Sequence, residues 1–299
     1  MTMILFSGCG DDLGDRQYAE VLNEIDLRGE YGISSVISAL DDPNPFLQSV
    51  AVEGLGRFES AQQVSRIGEV LKSKDAGVRL AAVNALGQAV FGKDGGEVAD
   101  ILLKHLLDEG NPEVQGMIAR TLGRLILANN DKMQTVTDAI LAMGHPSTSQ
   151  AERSVILGIA MGLESQARRL QLDSKEPPER VVRVLEELLG FTGTAGDGDV
   201  TEWESRATIR RIAMLALSSL DSLKMDILVQ AAKDTDIGVR RIAMLALRGR
   251  SDAGMELIEE GLFDSSPLVR VEAVRSYADL TEKPERCHLL LSMAEDVSL

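Results

Sequence analysis

Arg240-Arg241-Ile242-Ala243-Met244-Leu245-Ala246-Leu247 occurs twice in this chain, the other copy running from Arg210 to Leu217. Eight identical residues at a spacing of 30 are a repeat, and a repeat of that period decides the architecture before any single residue is read. Aligned on Ala243, further copies share the pattern Val-Arg-x-x-Ala-x-x-Ala-Leu. Val269 to Tyr277 follows 30 residues later, and Val78 to Gly87 fits throughout. Leu47 to Gly56 fits with Gln48 in place of the arginine, Val114 to Gly123 fits with Gln115, and a degenerate copy begins at Arg153. The anchors fall at positions 51, 82, 118, 153, 213, 243 and 273, so the one long gap, 153 to 213, holds an insertion.

Each anchor helix is preceded by a second amphipathic stretch: Ile33 to Leu40, Val64 to Leu71, Val98 to Leu107, Met133 to Met143, Val181 to Leu189, Met225 to Ala232 and Met255 to Leu262. Apolar residues there recur at helical spacing, as in Val98, Ile101, Leu102 and Leu106. Short turns such as Asp41-Asp42-Pro43-Asn44-Pro45 and Asp264-Ser265-Ser266-Pro267 stop one helix and cap the next. One such pair cannot bury its apolar faces alone, so neighbouring pairs stack. The prediction is an all-α fold, a right-handed superhelix or solenoid of about seven two-helix repeats with the second helices on the concave side.

The pattern Asp…Val-Arg-x-x-Ala-x-x-Ala-Leu-Gly resembles the HEAT-repeat family, in the short bacterial form also found in phycobilisome-lyase-like repeats. The resemblance spans about residues 30 to 280. It implies the solenoid fold and is nearly silent on activity, because function is set by sites placed on a fold. The Trp-Leu-Gly-Tyr pattern of tetratricopeptide repeats and the Thr-Pro-Leu-His pattern of ankyrin repeats are missing.

Aromatic residues make up only 3%, which suits thin layers packed with small and flexible side chains. A net charge of −16 argues against a nucleic-acid binder, whose affinity rests on neutralising phosphates. No run of 18 apolar residues is present to span a membrane. The two cysteines, Cys9 and Cys287, have no partner at metal-ligand or redox spacing.

The domain reading takes residues 1–14 as a tail, 15–29 as a capping helix, 30–283 as the array with an insertion around 164–205, and 284–299 as the first helix of an incomplete eighth repeat. Within the insertion, Ala167 to Leu172 prolongs a helix, Lys175 to Pro178 starts the next, and Gly190 to Asp199 is a flexible loop. Leu5-Phe6-Ser7-Gly8-Cys9 resembles the end of a bacterial lipoprotein signal, which implies lipidation of Cys9 and a place in the cell envelope. Only eight residues precede Cys9, none of them Lys or Arg, which departs from signal anatomy. Without that lipid the chain reads as cytoplasmic.

Catalytic groups do not assemble in the sequence. Asp197 to Glu202 fails as a calcium loop, because Glu202 stands where the sharp-turn glycine is needed. His105, His145 and His288 are scattered and none is followed by Glu, so the His-Glu pairs of the HEAT-like deoxyhypusine hydroxylases are missing. No metal or cofactor is expected. Met214 and Met244 read as core fillers, and Trp203 as either a core plug or an anchor for a partner.

The arginine after the valine (Ile209 in one copy) recurs as Arg79, Arg210, Arg240 and Arg270. Two readings stand. In one, these arginines pair with carboxylates of neighbouring turns as an inter-repeat ladder. In the other, Arg210, Arg240 and Arg270 join Arg206, Arg211, Arg241, Arg248, Arg250 and Arg275 as a basic stripe on the inner helices of the last three repeats, able to hold an acidic or phosphorylated protein. On the second reading Arg206, Arg210, Arg240, Arg248 and Arg270 are the partner-binding residues. The predicted function is a non-enzymatic protein-interaction scaffold. The alternatives are a regulatory or targeting array within a larger protein, or a lyase- or chaperone-type accessory factor, which needs a pocket.

Overall fold

Capping chemistry sets the helix boundaries. Asn44 Oδ1 accepts from Phe46 N at 3.0 Å, Asp75 Oδ1 from Val78 N at 3.0 Å, Asn111 Oδ1 from Glu113 N at 2.9 Å, and Asp236 Oδ1 from Val239 N at 3.0 Å. Each bond satisfies a backbone donor that the helix itself leaves open. The computed structural model describes residues 12–26, 32–144, 153–190, 200–220, 223–248, 250 and 254–280. Among them are fifteen α-helices. After α1 (Asp12–Asp26) they alternate along the chain as first and second helices: α2 (Ser34–Ala39) and α3 (Pro45–Arg57), α4 (Val64–Val70) and α5 (Ala76–Ala89), α6 (Gly96–Leu106) and α7 (Pro112–Arg124), α8 (Asn130–Ala142) and α9 (Arg153–Leu172), α10 (Glu179–Leu189) and α11 (Val200–Ser218), α12 (Met225–Ala232) and α13 (Ile237–Ala246), and α14 (Met255–Gly261) and α15 (Pro267–Leu280). The fold is thus all-α, a helical repeat architecture, and the alternation follows the anchors read in the sequence.

The chain divides into two compact units, Met1–Met143 and Gly144–Leu299. In the first, α3, α5 and α7 pack side by side as a layer of second helices, with first helices α4 and α6 against them. Leu55, Ile67, Leu86, Leu102, Ile118 and Leu122 are fully buried there. Removing each such side chain from water contributes about 1.5–3 kcal/mol. The α3–α5 contact is close because Gly56 lacks a side chain: a methyl group at that position would stand 2.7 Å from Ala85 Cα. Helix α1 packs on α2 and α3. Its Glu24 accepts from Ser35 N and Val36 N at 3.2 and 3.0 Å, and so caps α2 in place of an N-cap side chain.

In the second unit α9, α11, α13 and α15 pack in succession, with α10, α12 and α14 as the first helices. Its core includes Ile156, Ile159, Leu163, Leu185 and Leu188. The period breaks where α9 runs for 20 residues to Leu172. Ser174 (φ 52°) then turns the chain in a left-handed conformation, with Lys175 N donating to Leu170 O at 2.9 Å. Cys9, His145, the 191–199 loop, Cys287, His288 and the segment read as an eighth repeat lie outside the described residues, as does the side chain of Trp203. Met214 and Met244 are buried. No helix among the described residues is long and apolar enough to cross a membrane.

Candidate partner-binding surface and the arginine ladder

In the repeats that carry it, the first arginine is built into the turns. Arg240 Nε and Nη2 donate to the two oxygens of Asp264 at 2.8 and 3.0 Å, and its Nη1 donates to Asp234 O and Thr235 O at 2.9 and 3.2 Å. Arg79 repeats the arrangement with Glu109 (2.8 and 2.9 Å) and with Ser73 O and Lys74 O (3.0 and 3.2 Å). Arg210 forks onto Asp234 at 2.8 and 2.9 Å, and Arg270 Nη1 reaches Asp264 O at 2.8 Å. The Arg79 and Arg240 guanidiniums therefore hold their own turn by the carbonyls and the next repeat's turn by the carboxylate, while Arg210 shows the carboxylate fork and Arg270 the carbonyl bonds. Forked charge-assisted bonds of this kind are strong and set geometry as well as energy.

The acceptor carboxylates also shape the turns. Asp234 Oδ1 accepts from Asp236 N at 2.7 Å, Asp264 Oδ1 from Ser266 N at 2.8 Å and Glu109 Oε1 from Asn111 N at 2.8 Å, which positions the cap residue in each case. In the turn between α2 and α3, Asp42 accepts from Gln17 of α1 at 3.2 Å. Burial pushes the Glu109 carboxyl up, but the bonds from Arg79, Asn111 N and His105, together with the charge of Arg79, outweigh it and leave the pKa at about 2. For Asp264 burial is likewise outweighed, by Arg240 and Ser266 N, and its pKa is lowered. The bond to Asp264 in turn raises Arg240.

The ladder thus uses three of the five arginines expected to bind a partner. Arg210 is 4% exposed, Arg240 is forked onto Asp264, and Arg270 is buried. Arg206 is half-buried on α11, and Arg248 is exposed, paired with Asp279. The second arginines of the octapeptide are different. Arg211 (45% exposed) pairs with Asp236 at 2.5 Å, Arg241 (51%) with Glu272 at 3.1 Å, and Arg275 (58%) also with Glu272 at 3.2 Å. One turn beyond each second arginine stands a leucine that the core does not take up, Leu215 at 38% and Leu245 at 43% exposure. The surface of α11, α13 and α15 therefore combines two exposed leucines at equivalent repeat positions with exposed, carboxylate-paired arginines. The sequence cluster contained the arginines. The leucines were hidden in it, because their neighbours Met214, Met244, Leu217 and Leu247 are all buried.

Charge is segregated between the layers of this unit. By sequence, α11, α13 and α15 carry seven Arg and four Asp or Glu, whereas α10, α12 and α14 carry seven Asp or Glu and two Arg. The net acidity of the chain is therefore not spread evenly over its second helices. A cavity of about 700 Å³ opens beside the period break, lined among others by Lys175, Glu179, Val182, Arg183, Glu186 and Lys224. In its lining Lys224 pairs with Glu186 at 2.8 Å and Arg183 with Glu179 at 3.2 Å. Among the described residues no group of three or more His, Cys, Asp or Glu is placed to hold a metal ion.

Residues 33–123 match the family model for HEAT repeats. No curated protein matches the chain. Among solved structures, an engineered protein is similar over 96% of this chain and 80% of its own, with 18% identity and a TM-score of 0.54. A second engineered protein covers 82% of this chain and 94% of its own at 17% identity, with a TM-score of 0.44. Human deoxyhypusine hydroxylase in complex with glycerol covers 96% and 93% at 17% identity, with a TM-score of 0.35. At these identities the likeness concerns the fold, which the first neighbour shares along nearly the whole chain. Residues 33–123 are thus matched as HEAT repeats, and the helix pairs beyond them continue the same helical-repeat architecture with the same arginine-to-turn bonds.

Proposed function

We propose that this chain is a non-enzymatic protein-interaction scaffold, and that it holds an acidic or phosphorylated polypeptide on the second-helix layer of the Gly144–Leu299 unit. The observation that carries the reading is the pair Leu215 and Leu245, exposed at the same position of adjacent repeats beside Arg211 and Arg241. An exposed apolar residue within a charged rim is the usual make-up of a recognition patch. Arg206 and Arg248 extend the rim. Arg210, Arg240 and Arg270 contribute by fixing the spacing of the helices that present it.

The test replaces both leucines by Asp and compares the proteins retained from source-cell extract by the variant and by the parent chain. Both side chains lie partly in solvent, so circular dichroism should report an unchanged fold. Proteins retained by the parent and lost by the double variant support the patch. An identical retained set sinks it.

A further inference from the structure

The arginine ladder is interrupted in the Met1–Met143 unit. Where one repeat has Arg79, the repeat before it has Gln48, and where the turn after Arg79 has Glu109, the turn after Gln48 has Ser73. Both halves of this rung are therefore neutral, and a cavity of about 360 Å³ is lined by the two of them together. Gln48 is half-buried, yet its side-chain amide makes no hydrogen bond among the described residues. The amide of Gln115, at the same position of another repeat, donates to its own turn at Glu109 O, 2.6 Å away. An amide oxygen accepts where a guanidinium can only donate. Glutamine at position 48 thus turns a donor position into an acceptor.

Two carboxylates share the lining, Asp41 and Glu69. Asp41 is exposed and its carboxylate has no bond among the described residues, while Glu69 pairs with the exposed Lys72. The Ser73 hydroxyl accepts from Asp75 N at 3.3 Å and keeps a second lone pair. Ile37, Leu40 and Val70, each half-buried, give the cavity an apolar wall. The cation of the lining, Arg66, bonds Gln63 at 2.9 Å. By sequence the unit as a whole is acidic, with 21 Asp or Glu against 12 Lys or Arg. Acceptors for a planar fork beside an apolar wall for a methylene stem are what an arginine side chain needs. At the intact rungs Arg79 and Arg240 seat such a fork from within the chain.

We propose that the interrupted rung between Gln48 and Ser73 is a subsite for an arginine side chain of a partner polypeptide, whose guanidinium takes the place that Arg79 and Arg240 fill at their own rungs. The inference does not rest on the leucine patch, which has a different readout.

The experiment titrates the full ¹⁵N-labelled chain with N-acetyl-arginine methylamide and, separately, with its lysine counterpart, at constant ionic strength. The signals followed are the Gln48 side-chain amide, assigned with Q48A, and the Val70 backbone amide. A saturable shift of both is expected with the arginine compound at millimolar concentration, as befits one side chain. The lysine compound should bind at least about fivefold more weakly, since a point charge cannot fork. D41N should weaken the arginine compound at least about threefold, through loss of a charged acceptor. E113Q removes the same charge from the exposed first turn of α7 and should leave the affinity unchanged. The double variant Q48R/S73E copies the Arg79–Glu109 rung into the cavity, so it should raise the midpoint of thermal unfolding and abolish the Val70 shift. No saturable shift, equal affinity for the two compounds, or equal effects of D41N and E113Q overturns the proposal. A Val70 shift that survives in folded Q48R/S73E overturns it too. If that variant does not fold, the comparison of D41N with E113Q decides.

Discussion

A single guanidinium explains why these repeats stay in register. Arg240 uses four hydrogen bonds to join two turns, and its partner Asp264 is itself largely buried. Arg240→Ala leaves that carboxylate without its fork and should cost about 2–4 kcal/mol in denaturant unfolding. Arg240→Lys should lose much of the same, because a point charge cannot fork. Glu109 gives the ladder an acid dependence. Its folded pKa of about 2 lies below the ordinary 4.5, so its stabilisation is complete above about pH 4.5 and is lost as pH falls towards 2. The shift corresponds to roughly 3 kcal/mol. Glu109→Gln should remove that pH dependence, which a series of unfolding curves between pH 2 and 6 would record. In the sequence the arginine and an acid six positions earlier in the same repeat were both visible. The actual partner, 24 residues ahead of Arg240 and 30 ahead of Arg79, was less so. One signal does point there. Where Gln48 replaces the arginine, the next turn carries the neutral Ser73, and where Arg79 stands, the next turn carries Glu109.

Helices pack according to which glycines are needed and which are incidental. At Gly56 a methyl group would meet Ala85 backbone and side chain within 3 Å, whereas at Gly68 it would meet only Ile101 side-chain atoms at ordinary contact, 3.5 Å or more. Gly56→Ala should therefore destabilise by about 1–3 kcal/mol through forced separation of α3 and α5. Gly68→Ala should stabilise by about 0.5–1 kcal/mol through helix propensity. Thermal unfolding of the two variants checks both signs. Second helices were legible from the Ala-x-x-Ala spacing, and first helices from their apolar rhythm, to within a few residues. The 3₁₀ turn Ala61–Gln63 ahead of α4 was not, since Ser60-Ala61-Gln62-Gln63 carries no glycine or proline to mark it. Nor was the exposure of Leu215 and Leu245, since helical periodicity alone places them beside a buried stripe.

At the scale of the molecule, the repeat period was legible because small apolar residues recur wherever two helices must meet. The division at Met143 was not. The anchors at 118 and 153 stand at an ordinary spacing, and the pattern continues on both sides. Repeat arrays are stabilised chiefly by neighbouring contacts. Hydrogen exchange of Arg79→Ala should therefore speed up in α5 to α7, around the lost Glu109 pair, and stay unchanged in α13 to α15. Uniform acceleration along the whole chain would contradict that locality.

The arginine ladder also bears on how such a chain can lengthen. The block that carries Asp234 and Arg240 brings a donor for the block after it and an acceptor for the block before it. A tandem duplication of one block therefore arrives with both halves of its joints already matched, and no compensating change elsewhere is required. Identity between Arg210–Leu217 and Arg240–Leu247 is the trace such a copying event leaves while the surface around it diverges, as Asp236 and Glu272 have in receiving the two second arginines.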